Sequence, residues 1–434
     1  MKDTMMELTQ EEQDILEGKQ GLILRKVMRT LVLYGEALGA ERFVEIEWPG
    51  HFSIPFALPG VGPRLEMLDE LAEAGLKTKY PFTLDPKAPL DFENLFLRKE
   101  QEQAFEEMFR NQRVYDRRML QLGLRNEEAY TCTPYLPEVG NIPPKGTVLA
   151  WSESSCVVYA NSVLGARTNR NAAIMDILSN IAGKTPLAGL LTDEGRRATW
   201  RVEVGTSQLP NPQLLGAAIG MKVLEDVPYI VGLDRFLNTE LNEFTRDYLK
   251  EMGAACAAIG AVGLYHVERI TPEAIDHGVD LLTPEHRSYH IDDAELRELM
   301  DSYPVMWAEK GVKPEKCFIG CPHLSLRELK WWAEQIPAKL EEHHKDRVAV
   351  NTVLCAAPQV LQEFKADEEN YERLTSAGVK LSGTCAEAYM DNQLCARDAV
   401  ITNSNKLRAF TTARMFLDED LLEVIVTGEM REEG

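Results

Sequence analysis

Amphipathic helical stretches alternate with short apolar runs along nearly the whole chain, and this alternation is what most constrains its fold. Thr9 with Glu12 three residues later forms a capping box, in which each side chain satisfies an orphan backbone donor, so a helix starts there. A second helix is expected from about Leu22 to Leu38, after the Gly18 and Gly21 breaks and before Gly39, with "RFVEIEW" as the strand that follows. The phrase recurs in "RLEMLDELAEAGLKTKYPF" and in "LNEFTRDYLKEMGAACAAIGAVGLYHVE". Repeated helix-then-strand units imply right-handed βαβ crossovers around a largely parallel sheet. Residues 123–209 are richer in polar turns, with "GTVLAWSESS" and "ATWRVEVG" as strand candidates, and loops of an active site are expected there. From Asp292 the alternation becomes regular: helix "DDAELRELMDSY", strand "KCFIG", helix "SLRELKWWAEQIPAKLEEH", strand "RVAVNTVLC", helix "QVLQEFKADEENYERLTSAG", strands "VKLSG" and "DAVITNS", then "NKLRAFTTARMF". The expected fold class is therefore α/β with mostly parallel sheets, divided into residues 1–290 and a C-terminal subdomain, 291–434.

A chain of 434 residues can bury a substantial core, and its 47 Lys and Arg against 69 Asp and Glu give a net charge of -22. That balance argues against nucleic acid or an anionic membrane as the main partner. The N-terminus "MKDTMMELTQEEQDILEGKQG" lacks an apolar leader core, and no stretch approaches the roughly 18 uninterrupted apolar residues of a membrane helix, so a cytoplasmic protein is expected. Eight scattered cysteines fit reduced thiols rather than a disulfide framework, and Cys256 in "GAACAAIGA" reads as a core thiol.

Cys132 in "YTCTPY", Cys321 in "IGCPHLSLREL" and Cys385 in "LSGTCAEA" each sit where a strand-like run gives way to polar or helix-starting residues. Cys321, Cys355, Cys385 and Ser404 fall at the carboxyl ends of expected strands, the rim where open parallel sheets bind ligands. Cys321 also precedes a helix opened by Ser325 and Glu328, whose unsatisfied N–H groups favour a thiolate, and His323 lies beside it. Three readings of these cysteines stay open: thiolate ligands of a metal or cluster, plain core thiols, or redox or nucleophilic residues. Structural zinc fits less well, because there is no C-x2-C pair and Cys317, four residues before Cys321, begins a strand. A second constellation, "WSESSCVVYANSVLGARTNRN", packs Glu153, Ser154, Ser155, Asn161, Ser162, Arg167, Thr168, Asn169 and Arg170 between apolar stretches. Such density of short donors and guanidinium groups suits a small carboxylate substrate, or alternatively a capped, solvated loop. "ITNSNK", residues 401–406, is a third polar turn at a strand end.

"LTQEEQDILEGKQG", "TCTPYLP", "AWSESSCVVYANSVLGARTNR", "IGCPHLSLREL", "GTCAEA" and "ITNSNK" occur in the order and style of the aconitase X family, and the chain resembles its large subunit from about residue 8 to about residue 430. The resemblance implies an aconitase-like three-layer α/β/α fold and a hydro-lyase. It implies a mononuclear iron or an iron-sulfur cluster held by Cys132, Cys321 and Cys385, with Cys156 and Cys355 in reserve. Ser154, Ser155 and Lys406 become catalytic candidates, and Glu153, Asn161, Arg167, Thr168, Asn169, Arg170, His323 and Ser404 substrate-binding ones. The family's base is a serine on a small swivelling domain; that domain is absent from this chain, so a separately encoded small subunit is the expected partner. Among substrates, dehydration of cis-3-hydroxy-L-proline to pyrroline-2-carboxylate is the leading expectation and 5-phosphomevalonate the alternative, because a phosphorylated substrate asks for more positive charge than this acidic chain offers. The sequence also departs from the family: "NAAIMDILSNIAG" stands where a Gly-Gly-Pro turn usually follows "ARTNR", predicting a helix, Gly383 replaces an aspartate, and Cys156 an alanine. A thiol redox enzyme and a catalytically silent binding subunit are the readings from other classes.

Overall fold

The structure, a computed structural model, describes residues 5–53, 61–309 and 311–430. The first helix, Gln10–Leu16, opens on the expected box: Thr9 Oγ1 accepts from the Glu12 N–H at 3.3 Å and Glu12 Oε2 from the Thr9 N–H at 2.8 Å. Leu22–Ala37 follows as the second helix. In the N-terminal part the strands are short: β1 (Phe43–Glu45), β2 (His51–Phe52), β3 (Thr83–Leu84) and β4 (Lys184–Pro186), with β1 antiparallel to β4 and β2 parallel to β3. Helices including Leu22–Ala37 and Gln112–Leu122 cover them, closing a core around Met28, Leu31, Phe52, Phe82 and Met119. The stretch "GTVLAW" forms no strand; Val148 and Trp151 make single bridges to Arg167 and His51. "NAAIMDILSNIAG" does form a helix, Ala173–Ala182.

Two larger sheets are wholly parallel. β5 (Ala198–Val204), β6 (Pro228–Val231), β7 (His266–Val267) and β8 (Leu282–Ile291) assemble in the order β7-β6-β5-β8. β9 (Lys316–Leu324), β10 (Asn351–Ala356), β11 (Lys380–Ser382), β12 (Val400–Thr402) and β13 (Arg414–Met415) assemble in the order β11-β10-β9-β12-β13. The expected mixed α/β class with mostly parallel sheets is therefore found. The division expected between residues 290 and 291 falls at the last residues of β8. The expected helix over "QVLQEFKADEENYERLTSAG" is two helices, Pro358–Ala366 and Glu368–Ser376. Asp367 breaks it by capping the second, its Oδ1 accepting from the Asn370 N–H at 3.4 Å, the local competition that makes aspartate a poor interior helix residue.

Helices Pro212–Val223 and Glu243–Gly260 approach through their glycines. A Cβ on Gly216 would strike the Met252 carbonyl oxygen, and one on Gly260 the Gly220 backbone. Cys256 is fully buried in this contact, the core thiol its surroundings predict. Gly216→Val is expected to force the helices apart and destabilise the chain by about 1–3 kcal/mol, read as a lower urea midpoint at unchanged slope.

β9 runs through the middle of its sheet and every residue of it is buried except Cys321. A continuous buried run is what a strand covered on both faces requires. Gly320 explains the exception. Its φ is +104° and a Cβ there would collide with the Cys355 carbonyl oxygen, so only glycine can carry the strand past β10 at this point. The β9–β10 register shifts at the same place, between Leu354 and Ala356, and the Cys321–Pro322 peptide bond that follows is cis.

Candidate active site

All eight cysteines are free thiols, and Cys132, Cys321 and Cys385 are the ones only partly buried. Cys355, at the carboxyl end of β10, is fully enclosed in core, and Cys156 is buried with its thiol donating to the Cys132 carbonyl at 3.0 Å. Cys132 Sγ accepts the His323 N–H at 3.2 Å, and Cys385 Sγ caps helix Ala386–Met390 by accepting from the Ala388 N–H at 3.5 Å. Burial pushes the Cys321 thiol well above its usual value, Glu387 adds to that, Lys406 opposes it, and Cys385 and Cys132 raise it further. Burial also pushes Cys385 up to about 12. The three thiols and the Lys406 ammonium thus act on one another electrostatically. Strand ends supply Cys321 on β9, Cys385 just past β11, and Ser404 and Lys406 just past β12, while Cys132 comes from a loop held to β9 through the His323 N–H.

Glu153 precedes helix Ser154–Ser162 with φ at +83°, a conformation L residues rarely adopt. Its side chain is what holds it there. Oε2 accepts from the Cys156 N–H at 2.7 Å and from the Ser155 hydroxyl, while Oε1 takes the Lys406 ammonium at 2.7 Å. Burial alone would raise this carboxyl, but Lys406, with Ser155 and Cys156, brings it down to about 2. For Lys406 burial works against the charge, yet Glu153, then Glu387 and the thiols, hold it well above the usual lysine value. Ser154 Oγ stands 3.5 Å from Glu153 Oε1, and Ser404 donates its hydroxyl to the Cys321 carbonyl while capping helix Asn405–Phe410.

The rest of the polar constellation divides. Asn161 is buried and saturated: its amide donates to the Thr168 and Gly263 carbonyls, each at 2.8 Å, and its oxygen accepts from Thr168 N and Arg196 Nη1, each at 3.0 Å. Thr168 Oγ1 accepts the Trp151 N–H at 3.0 Å, and Asn169 bridges the Ala188 carbonyl and the Leu190 N–H. Arg167 pairs with Asp193 and the Leu191 carbonyl. These four side chains spend their hydrogen bonds on backbone and neighbours. Arg170 differs. Its stem lies over Gly263, where a Cβ would sit 3.0 Å from Cδ, and among the described residues no hydrogen bond or ion pair engages its guanidinium. Burial lowers its pKa and Glu153 opposes the shift, so it faces the same locus.

His323 is buried with both ring nitrogens occupied, Nδ1 by Thr131 Oγ1 at 3.2 Å and Nε2 by the Thr384 carbonyl at 3.1 Å. Two carboxylates that sequence reasoning did not single out also stand here. Glu387 lies 3.8 Å from Lys406 with Oε1 buried and unpartnered among the described residues; burial raises its carboxyl, with Glu153 and Asp85 adding to the shift against Lys406. Asp85, just past β3, is raised by burial, stands 3.5 Å from His51 Nε2 and feels Glu153. Their signals were faint: a glutamate two residues after Cys385, and an aspartate at a strand end.

Among the described residues no three His, Cys, Asp or Glu side chains are drawn together as ready ligands of a single ion. The donor chemistry nevertheless suits a thiolate-bound group, since Cys132 and Cys385 already receive backbone N–H donors and a buried ammonium offsets their charge.

Parallel sheets whose strand ends gather free thiols, a buried ammonium and several carboxylates define an α/β enzyme with a thiol-lined centre. Family models described as the aconitase X first, second and third domains match residues 5–194, 198–301 and 315–419. The phosphomevalonate dehydratase large subunit of Thermococcus kodakarensis is 36% identical over 76% of this chain and 77% of its own length. The cis-3-hydroxy-L-proline dehydratase of Hypocrea jecorina is 32% identical over 52% of this chain and 37% of its own length. The crystal structure of Thermococcus kodakaraensis aconitase X in its holo-form superposes with a TM-score of 0.76 at 30% identity, covering 97% of this chain and all of that one. The chain belongs to the aconitase X family and is a hydro-lyase.

Proposed function

We propose that this chain is the large subunit of a phosphomevalonate dehydratase, carrying an iron-sulfur centre on Cys132, Cys321 and Cys385 and completed by a separately encoded small subunit. What carries the substrate reading is the likeness to the Thermococcus protein over 76% of the chain, against 52% for the hydroxyproline enzyme. It displaces the expectation of cis-3-hydroxy-L-proline. That expectation leaned on the net charge of -22, a property of the whole chain, whereas at the locus itself Lys406 is offset by Glu153 and Arg170 is the cation left without an ion pair among the described residues. Eight free thiols suit a reducing compartment and support action in the cytoplasm.

Cys132, Cys321 and Cys385 would hold the iron centre, which would supply Lewis acidity toward the substrate hydroxyl. Arg170 takes an anionic end of the substrate, its fork free for a carboxylate or phosphate. Lys406, fixed by Glu153, holds positive charge where the departing hydroxyl and the carboxylate meet. Glu387, beside Lys406 and unpartnered at Oε1, gives its proton to the leaving oxygen. Ser154 opens the helix on this side and orients the substrate, while Ser155, locked to Glu153, keeps that carboxylate in place. The base for the carbon next to the carboxylate is assigned to the small subunit.

The test is iron and acid-labile sulfide after anaerobic reconstitution, for the native chain and for Cys321→Ser, followed by turnover with a small subunit of the family. Iron and sulfide are expected in the native chain and largely lost in the variant, with dehydration of 5-phosphomevalonate exceeding that of cis-3-hydroxy-L-proline. Iron without sulfide would replace the cluster by a single ion; the reverse substrate preference would overturn the substrate reading.

A further inference from the structure

His323 touches all three cysteine-bearing segments. It lies two residues past Cys321 on β9; its backbone N–H donates to Cys132 Sγ at 3.2 Å; Nδ1 meets Thr131 Oγ1 at 3.2 Å; and Nε2 meets the Thr384 carbonyl, next to Cys385, at 3.1 Å. A carbonyl can only accept, so the proton sits on Nε2 and Nδ1 is the acceptor. The Thr131 hydroxyl therefore donates to Nδ1 while its oxygen accepts the Thr133 N–H at 3.0 Å. The fourth contact fixes the residue from behind. Its carbonyl accepts the buried Lys250 ammonium at 3.2 Å, which is itself paired with Glu328 and Glu251. With both ring nitrogens spent on protein, the imidazole has no atom left for substrate or metal.

We infer that His323 is a positioning residue, a clamp that sets the spacing of the Cys132 and Cys385 thiols relative to Cys321 before any cofactor arrives. The clamp itself rests on hydrogen bonds of this chain; its bearing on the bound group rests on the iron-sulfur reading above. Partners behind metal ligands hold them in place, and their loss costs about 10- to 100-fold in metal affinity. The clamp is asymmetric in a testable way. Thr131 restrains the Cys132 side and the Thr384 carbonyl the Cys385 side, so each arm can be cut alone.

The experiment measures alkylation of the metal-free chain by a small uncharged thiol reagent, resolved cysteine by cysteine by peptide mass spectrometry, alongside iron bound after reconstitution. His323→Ala is expected to speed modification of both Cys132 and Cys385 several-fold, to leave buried Cys256 unreacted, and to weaken iron retention about 10- to 100-fold. Thr131→Val, nearly isosteric, is expected to speed Cys132 alone. His323→Gln, whose amide reaches the position of Nε2, is expected to return Cys385 to the native rate while Cys132 stays fast. If Thr131→Val and His323→Gln leave the two rates at native values, or raise all cysteines together, the clamp is overturned. Iron absent from the native chain, with the selective alkylation pattern intact, would instead overturn the iron-sulfur reading and leave the clamp standing.

Discussion

Lys406→Met is expected to cost the chain about 3–5 kcal/mol of stability and to reduce turnover by about 10²–10³-fold, because it strands Glu153 as an unpaired buried charge and removes the ammonium from the thiol-lined locus. The side chains of the pair are 10% and 4% exposed, and the next cation, Arg170, makes no ion pair with Glu153. The pH dependence separates this from ordinary loss of packing. Native Glu153 has a folded pKa lowered to about 2 from 4.5, so its stabilisation is present above 4.5 and is lost as pH falls toward 2. Without Lys406, burial dominates and the folded pKa lies above the unfolded one. The stabilisation is then complete only at low pH and is lost as pH rises past 4.5. Urea midpoints taken from pH 3 to pH 7 should therefore converge for the native chain and the variant at the acid end and diverge toward neutrality. Adding Glu153→Gln to Lys406→Met is expected to restore most of the stability, since no charge is left unpaired, and none of the turnover. Parallel midpoint curves for the single variant across that range would sink the buried-pair account.

Much of the framework was legible in the sequence because its signals are local. The capping boxes at Thr9 and Ser325 depend on residues three apart and both appear in the structure, and the helix-strand alternation does too, although β3 starts only past "KTKYPF" and one expected helix is split at Asp367. A strand-like run meeting polar residues drew attention to Cys132, Cys321 and Cys385, but their choice as ligands came from the family resemblance, since the strand-end cue marked Cys355 too. Those three are the cysteines left partly exposed, while Cys355, at a strand end as well, is sealed in core. What sequence could not resolve was the use made of polar groups. Asn161, Thr168 and Asn169 look like substrate donors, yet the same short side chains cross-link a folded loop, and there they bond to backbone at Gly263, Trp151 and Ala188. Spacing does not say which partner is in reach. His323 was drawn to the substrate by its neighbour Cys321, but its partners Thr131 and Thr384 lie 192 and 61 residues away, and only the packing of β9 between those segments reveals them. Arg170 emerged from the same dense stretch for the opposite reason: it is the cation there that the described fold leaves unspent.

Glu387→Gln is expected to lower kcat by about 10²–10⁴-fold while leaving the fold, the iron content and KM near native values. The geometry makes this a sharp substitution. Glu387 sits in the first turn of helix Ala386–Met390, two residues past Cys385, and its Oε1 is buried without a hydrogen-bond partner among the described residues, so an amide of the same shape leaves no native bond unmade there. Its other contact is Lys406 at 3.8 Å, longer than the 2.7 Å from Lys406 to Glu153. The ammonium is therefore committed mainly to Glu153, which leaves Glu387 as a carboxyl able to carry a proton into the site. Departure of hydroxide from a carbon is slow unless the oxygen gains a proton or a cation, and an amide cannot give the proton. Steady-state kinetics of the assembled enzyme, with iron measured on the same preparation, checks the prediction. A kcat within a few-fold of native at full iron content would remove Glu387 as the donor and pass the role to Asp85. That carboxyl is also raised by burial, and its Oδ1, 3.5 Å from His51 Nε2, is likewise without a hydrogen-bond partner among the described residues, so Asp85→Asn should then show the loss that Glu387→Gln did not.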